Sequence, residues 1–347
     1  MRAMQLTAPG TLELRTVPVP EIGPGDLLLR VGAAGICHSD SYVLGLPFQM
    51  SEQPLTLGHE IAGTIEAVGA DVAGRTAGER GVVYLCWSCG TCRECLRGNE
   101  NVCLAAGRTA MPPCPGLGPD GGMAEYVRIP AHTFVPIGEL DFAVAAPLAD
   151  AALTPMHAVN GARDQLWPGA TAVAIGIGGL GHVAVQILRA TTETRIIAVD
   201  VAADKLELAK ACGADVTLLA DDDTAAAILD LTDGRGAEAV FDFVGTDPTA
   251  KLAAATVAPN GAYRMVGLGG GVPGIDAGPA GAPGSLPWGA TVRKSYGGTR
   301  SDLVDSVALA LAGKVRPEIE CFDLADARTA FDRLDAGAIR GRAVLVP

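Results

Sequence analysis

The 347-residue sequence predicts an α/β chain of two domains, one β-rich and one a doubly wound parallel sheet. Three observations carry this. Apolar strands and helices alternate between residues 171 and 267, as in parallel β-α-β units. Short strands broken by Pro and Gly fill the first 81 residues, the pattern of antiparallel β structure. A glycine run, Gly176-Ile-Gly178-Gly179-Leu180-Gly181, joins the first strand of the alternating part to its helix.

Taken in order, strands at 12–17 and 27–31 are separated by Pro18, Pro20, Pro24 and Gly25. The second leads into Gly35-Ile36-Cys37-His38-Ser39-Asp40, a run of small and ligand-type residues. Residues 55–69 place His59 and Glu60 at the entry of another strand. The next region differs in kind. Cys89, Cys92, Cys95 and Cys103 follow a C-x2-C-x2-C-x7-C spacing in a loop with little apolar content, and four thiolates can close a tetrahedral zinc of the structural kind. Cys86 is a fifth thiol that does not improve on this set, and Cys114, Cys212 and Cys321 read as ordinary core or surface residues.

Strand character returns at 121–129, and 145–159 reads as one helix of small residues containing Asp150 and Thr154. Beyond the glycine run come helix 203–212, strand 215–219, helix 222–231, strand 237–244, helix 249–257 and strand 261–267. A Gly/Pro-rich stretch, 269–289, suits a domain or subunit boundary. A strand at 291–296, a helix at 302–312 and a terminal strand from Gly341 complete the chain. The expected domains are 1–149 with 290–347, and 150–289.

In the glycine run, Gly176 suits a tight turn, Gly178 lets backbone approach a pyrophosphate, and Gly181 lets the helix lie close on its strand. The phosphate would sit on the free N–H groups of the helix start, where the dipole favours an anion. Asp200, after the strand 195–199, stands where a carboxylate holds the ribose hydroxyls of NAD and repels the extra phosphate of NADP. A hydropathy plot could mistake 170–190 for a membrane span, since its first charge is Arg189. Four glycines in six residues divide it into two elements instead.

Composition narrows the function. A formal net charge of -13, with no basic stripe to offset it, argues against a nucleic-acid partner. The N-terminus lacks the apolar core of a signal peptide, so a cytoplasmic location is expected. In reducing surroundings, nine cysteines with several closely spaced point to metal before disulfides.

With these pieces placed, the chain resembles the zinc-dependent medium-chain alcohol dehydrogenases, in particular their bacterial secondary-alcohol branch. The likeness spans essentially the whole length. Its markers are Gly35 to Asp40, Gly58-His59-Glu60, the four-cysteine lobe, Leu148-Ala-Asp150, the glycine run and Gly341-Arg342. The resemblance implies a GroES-like β-rich catalytic domain plus a Rossmann domain, NAD as cofactor, and two zinc ions per chain. The structural zinc would take the four lobe cysteines, and the catalytic zinc Cys37, His59 and Asp150. A thiolate, an imidazole and a carboxylate leave a fourth position for water or substrate.

In this reading Ser39 accepts the alcohol proton and Glu60 lies behind the metal. Many relatives end the proton relay on a His five residues after the zinc cysteine, where this chain has Tyr42. A phenol is a poor base at neutral pH, which leaves His38 or solvent as the outlet. Thr154 would touch the nicotinamide, Lys205 belongs with the cofactor contacts, and Arg342 matches a position contacting cofactor phosphate, a task Arg340 could also fill. Tyr42, Phe48, Leu117 and Trp288 stand where substrate-pocket residues are expected. Gly297 replaces the bulky aromatic of close relatives, so the pocket should be roomier, admitting bulky secondary alcohols or aryl ketones.

The resemblance implies as partners a small alcohol or ketone and further copies of the chain, a tetramer in that branch's habit. No nucleic acid or membrane partner is expected. Other readings stay open: a polyol or threonine dehydrogenase of the same family, a non-catalytic zinc- and NAD-binding redox sensor, or a zinc-free quinone reductase, although relatives of the last kind lack both ligand sets.

Overall fold

The computed structural model describes residues 1–47, 54–273 and 286–347. The chain divides into two units, Met1–Leu153 with Gly297–Pro347, and Thr154–Tyr296.

The second unit is built on six parallel strands. Their order across the sheet is Val216–Leu219, Arg195–Asp200, Thr171–Ile175, Ala237–Asp242, Val257–Met265 and Thr291–Lys294. Numbered along the unit this is 3-2-1-4-5-6, so the chain reverses direction across the sheet beside strand Thr171–Ile175, where open α/β sheets take their ligands. All five residues of that strand are buried, which explains its unbroken run of small and β-branched residues. Val173, Ile175, Ile197, Val199 and Val240 form the centre of this core. Burial of each such side chain contributes about 1.5–3 kcal/mol.

The glycines break the apolar stretch 170–190 as the sequence requires. Thr171–Ile175 is strand, Gly181–Thr191 is helix, and no single helix among the described residues is long and apolar enough to cross a membrane. Two readings of the sequence differ from the structure. Thr291–Lys294, expected in the β-rich domain, pairs parallel with Val257–Met265 and completes the second unit's sheet. The single helix expected at 145–159 is broken into helix Phe142–Ala145, a 3-10 turn Ala146–Ala149 and helix Leu153–Asn160. Pro147, lacking an N–H, sits in the first positions of the 3-10 turn. Asp150 follows it at φ -132, outside the helical region.

In the first unit, a sheet runs Ile319–Asp323, Arg342–Val346, Asp26–Ile36, Glu60–Val68, Arg80–Val83, Phe134–Pro136, with Tyr126–Pro130 also paired to Asp26–Ile36. A smaller sheet orders Thr11–Thr16, Arg2–Ala8 and Leu55–Thr56. Leu27, Leu29, Ile36, Leu57, Ile61, Phe134 and Phe331 lie at under 3 % exposure in the core between these elements and the helix Ala327–Asp335.

Register does the work of assembling a site here. Ala343 pairs with Ile36, and Gly35 pairs with Glu60, both antiparallel. Three adjacent strands therefore bring Arg342, Cys37 and Glu60 to one end of the sheet, although 305 positions separate the first from the second along the chain (342 minus 37).

Candidate active site

Cys37 ends the strand Asp26–Ile36 and stands at the N-cap of helix His38–Leu44. His59 precedes the strand Glu60–Val68, and Asp150 leaves the 3-10 turn. These three come together. Cys37 Sγ lies 3.4 Å from Asp150 Oδ2, His59 Nε2 lies 3.8 Å from the same oxygen, and all three ligand atoms fall within 4.8 Å of one another. A tetrahedral zinc with metal–sulfur bonds of about 2.3 Å and nitrogen or oxygen bonds of about 2.0–2.1 Å sets its ligand atoms roughly 3.4–3.6 Å apart. The donor set fits the ion in chemistry and spacing. Cys37 and His59 are buried at 6 % and 3 % exposure, so a charge placed among them is shielded from bulk water.

The sequence reading gave no role to Asp40, which the structure puts behind the histidine. It is fully buried. Its Oδ1 stands 3.3 Å from His59 Nδ1 and accepts from the Gly58 N–H, while Oδ2 accepts from the Cys37 N–H at 2.9 Å. One carboxylate thus faces the imidazole and bonds both strand ends that carry ligands, the place from which a carboxylate orients a metal-binding histidine. The available signal was the D three residues after Cys37, where a short helix turns its side chain back to its own N-cap.

Glu60 and Arg342 close the other side. The Arg342 guanidinium makes two bonds to the Glu60 carboxylate, with Nε at 3.0 Å, and a third to Asp150 Oδ2 at 3.1 Å. At 2 % exposure Arg342 is no surface residue. Burial alone would lower its pKa, but Cys37, Glu60 and Asp150 hold it well above the ordinary value. Burial raises the Glu60 carboxyl to about 7 against the pull of Arg342. A Cβ on Gly35 would run into the Glu60 carboxylate, so glycine there makes room for this pair.

Ser39 Oγ lies 3.7 Å from Cys37 Sγ, within the same cluster. His38 keeps solvent access at the helix start while protein packed around its ring partly desolvates it; that desolvation, then the Arg342 charge, lowers its pKa against an opposing pull from Asp335. Arg340 is exposed, with its N–H bonded to Glu320.

The four-cysteine lobe is assembled as well. Cys92 Sγ is 3.4 Å from Cys95 Sγ and 4.0 Å from Cys103 Sγ, and Cys89 Sγ is 4.0 Å from Cys95 Sγ. Tetrahedral zinc thiolates stand about 3.8 Å apart. Main-chain N–H groups of Cys92, Cys89 and Leu104 point at the sulfurs of Cys89, Cys103 and Cys92. Such donors stabilise thiolates, and the N–H groups of Thr91 and Cys92 lower Cys89 to about 6. Cys86 and Cys114 are buried thiols outside this lobe, and burial pushes Cys114 up to about 12.

In the second unit the glycine run makes a sharp passage from strand Thr171–Ile175 to helix Gly181–Thr191. Gly176 has φ +85, a turn that side chains rarely adopt. A Cβ on Gly181 would strike the Gly176 carbonyl oxygen, whereas a Cβ on Gly178 would meet nothing within 4 Å, leaving an approach to the backbone. Gly179 and Leu180 complete the turn, and Leu180 gives the helix no side-chain cap. Asp200 ends the neighbouring strand. Its Oδ2 accepts from the Ile177 N–H at 2.6 Å and its Oδ1 from the Ala202 N–H at 2.9 Å, which pins the carboxylate beside the turn. Lys205 is half-buried on helix Ala203–Ala211, and Thr154 is buried on helix Leu153–Asn160.

The substrate candidates are less coherent. Tyr42 is 71 % exposed, Leu117 packs against the first unit's core, and Trp288 belongs to the second unit at 77 % exposure. Phe48 lies outside the described residues. Gly297 does not stand in open space. It has φ +49, and a Cβ there would sit 3.3 Å from Cys86 Sγ and 3.6 Å from Leu85 Cδ1. The absence of an aromatic at this position therefore goes with a left-handed backbone and a neighbouring thiol.

Fold and site together define a two-domain dehydrogenase architecture, a metal-ligand cluster in a β-rich unit with a dinucleotide-type parallel sheet. Family models agree in both parts: residues 23–139 match the alcohol dehydrogenase GroES-like domain and 179–312 the zinc-binding dehydrogenase domain. An NAD-dependent alcohol dehydrogenase of Sulfurisphaera tokodaii is 36 % identical over the whole of both chains. A D-arabinose 1-dehydrogenase (NADP(+)) of Saccharolobus solfataricus is 34 % identical, covering 97 % of this chain and 94 % of that one. The crystal structure of the alcohol dehydrogenase of Aeropyrum pernix superposes with a TM-score of 0.91 at 32 % identity, covering all of both chains. The chain belongs to the zinc-dependent medium-chain alcohol dehydrogenase family.

Proposed function

We propose that the protein is an NAD- and zinc-dependent oxidoreductase that interconverts alcohols, secondary ones in particular, with ketones or aldehydes. The single observation that carries this is the gathering of Cys37, His59 and Asp150 at one end of a sheet, with Asp40 behind the histidine. These three hold the catalytic zinc, and Cys89, Cys92, Cys95 and Cys103 the structural one. When bound, zinc supplies a Lewis acid for the alcohol or carbonyl oxygen and NAD supplies the hydride acceptor.

The chain's own residues do the rest. Ser39, beside Cys37, takes the hydroxyl proton, and His38 or solvent receives it in place of the absent relay histidine. Arg342, itself held by Glu60, donates to Asp150 Oδ2 and so holds that side chain; a contact from Arg342 to cofactor phosphate belongs to the same reading. The glycine turn seats the pyrophosphate on the start of helix Gly181–Thr191, with Asp200 for the adenosine ribose and Lys205 on the following helix. Thr154 meets the nicotinamide. Tyr42, Leu117, Trp288 and Gly297 remain the residues to vary for substrate choice, with aryl ketones expected among the substrates. A homo-oligomer and a cytoplasmic location belong to the same reading.

A panel of secondary, primary and polyol substrates, run with NAD and NADP before and after chelation, tests this. Alcohol-dependent NADH formation that is lost on chelation is expected. Turnover unaffected by zinc removal, or a preference for polyols with NADP, would replace this reading with one of its alternatives.

A further inference from the structure

His182, the second residue of helix Gly181–Thr191, has no role in the reading above, yet it is fully buried beside the glycine turn. Its Nδ1 lies 2.7 Å from the carbonyl oxygen of Gly178, and its own backbone N–H donates to that same oxygen at 3.3 Å. A carbonyl oxygen can only accept, so Nδ1 carries the proton, and the tautomer is fixed by the contact. Two donors from one residue therefore hold a single carbonyl.

The consequence follows from peptide geometry. In a planar trans peptide the C=O of one residue and the N–H of the next point in opposite directions. Holding the Gly178 oxygen toward the helix turns the Gly179 N–H away from it. Gly178 is also where a Cβ would meet nothing within 4 Å. Without a second donor, a peptide flanked by two glycines has wide rotational freedom, and its N–H would have to be ordered at each binding event, a cost that preorganisation removes.

We propose that His182 is a positioning residue for the dinucleotide: it locks the Gly178–Gly179 peptide so that the Gly179 N–H is aimed at the pyrophosphate before the cofactor arrives. This rests on the NAD reading above. His182 acts through the Gly178 carbonyl, so the expected effect is on cofactor affinity and not on the chemical step.

The test uses the full, zinc-loaded chain and titrates NADH and ADP-ribose by fluorescence against His182→Asn, His182→Ala and His182→Leu. Asparagine places its amide N–H close to where Nδ1 stood; alanine and leucine offer no donor. Loss of one such hydrogen bond predicts Kd values for both probes about five- to tenfold higher in the alanine and leucine variants. The asparagine variant should stay within about twofold of the parent. KM for NAD should follow Kd, with kcat at saturating NAD unchanged. Parental ADP-ribose affinity in the alanine variant would overturn the proposal, as would an asparagine variant no better than alanine. If the leucine variant does not fold, the comparison of asparagine with alanine decides. A parent protein that binds neither probe would instead overturn the NAD reading itself.

Discussion

Replacing Asp40 by Asn removes one buried charge from behind the candidate metal site while keeping the side chain's shape. The Coulomb term between the carboxylate and a charge developing on His59, 3.3 Å away, is about 5 kcal/mol at an effective dielectric of 20. Burying the carboxylate costs several kcal/mol, so the two largely offset. What remains is the orienting effect, which for partners of metal-bound histidines is about 10- to 100-fold in metal affinity, or roughly 1.4–2.7 kcal/mol. Asparagine also turns an amide donor toward one of the two N–H groups, of Cys37 and Gly58, that Asp40 now satisfies. An unsatisfied buried donor adds about 1–3 kcal/mol of destabilisation. The assay is zinc release to a competing chelator, with the four-cysteine lobe as an internal control. One zinc should leave about 10- to 100-fold more readily and the other should stay put. Parental retention of both ions, or loss from the lobe instead, would refute the role given to Asp40.

Three further outcomes follow from the same geometry. Asp200→Asn should shift the NADP-to-NAD preference about fivefold, because a charge pair in water-like surroundings is worth about 1 kcal/mol; unchanged kcat/KM ratios for the two cofactors would count against the ribose role. His38 has its pKa lowered by burial and by Arg342, so its neutral form persists below pH 6.5. If it is the relay outlet, the acid limb of kcat lies below that value and disappears in His38→Gln, whereas an identical pH profile in the variant leaves solvent as the outlet. Gly297→Trp should lower Tm, since a side chain at φ +49 costs about 1–2 kcal/mol, and should raise turnover of acetone relative to acetophenone. A variant with parental substrate ratio would remove Gly297 from the pocket.

Local chemistry made parts of this molecule legible from sequence. The glycine turn, the four-cysteine spacing and Asp200 each depend on residues close together in the chain, where a spacing maps directly onto geometry. The parallel sheet was readable because strands and helices alternate. Thr291–Lys294 was misplaced because nothing in four residues says whether a strand pairs forward or back; the pairing with Val257–Met265 decides it. The burial of Arg342 was hidden for a different reason. It depends on register between strands far apart in sequence, Ala343 on Ile36 and Gly35 on Glu60, and the same pairing brings His59 up to Asp40, whose bond to the Cys37 N–H is local. Gly297 shows the opposite hazard: a missing side chain suggests space, but the positive φ and the Cys86 sulfur, 3.3 Å from where a Cβ would sit, narrow it.

Metal content read together with turnover tests the central claim most directly. The account predicts two zincs per chain, with NADH appearing when a secondary alcohol and NAD are supplied. Asp150→Ala should then lose one zinc and the activity while keeping the lobe's ion. A parent chain with a single zinc and no alcohol-dependent NADH, or an Asp150→Ala variant that still turns over, would contradict it.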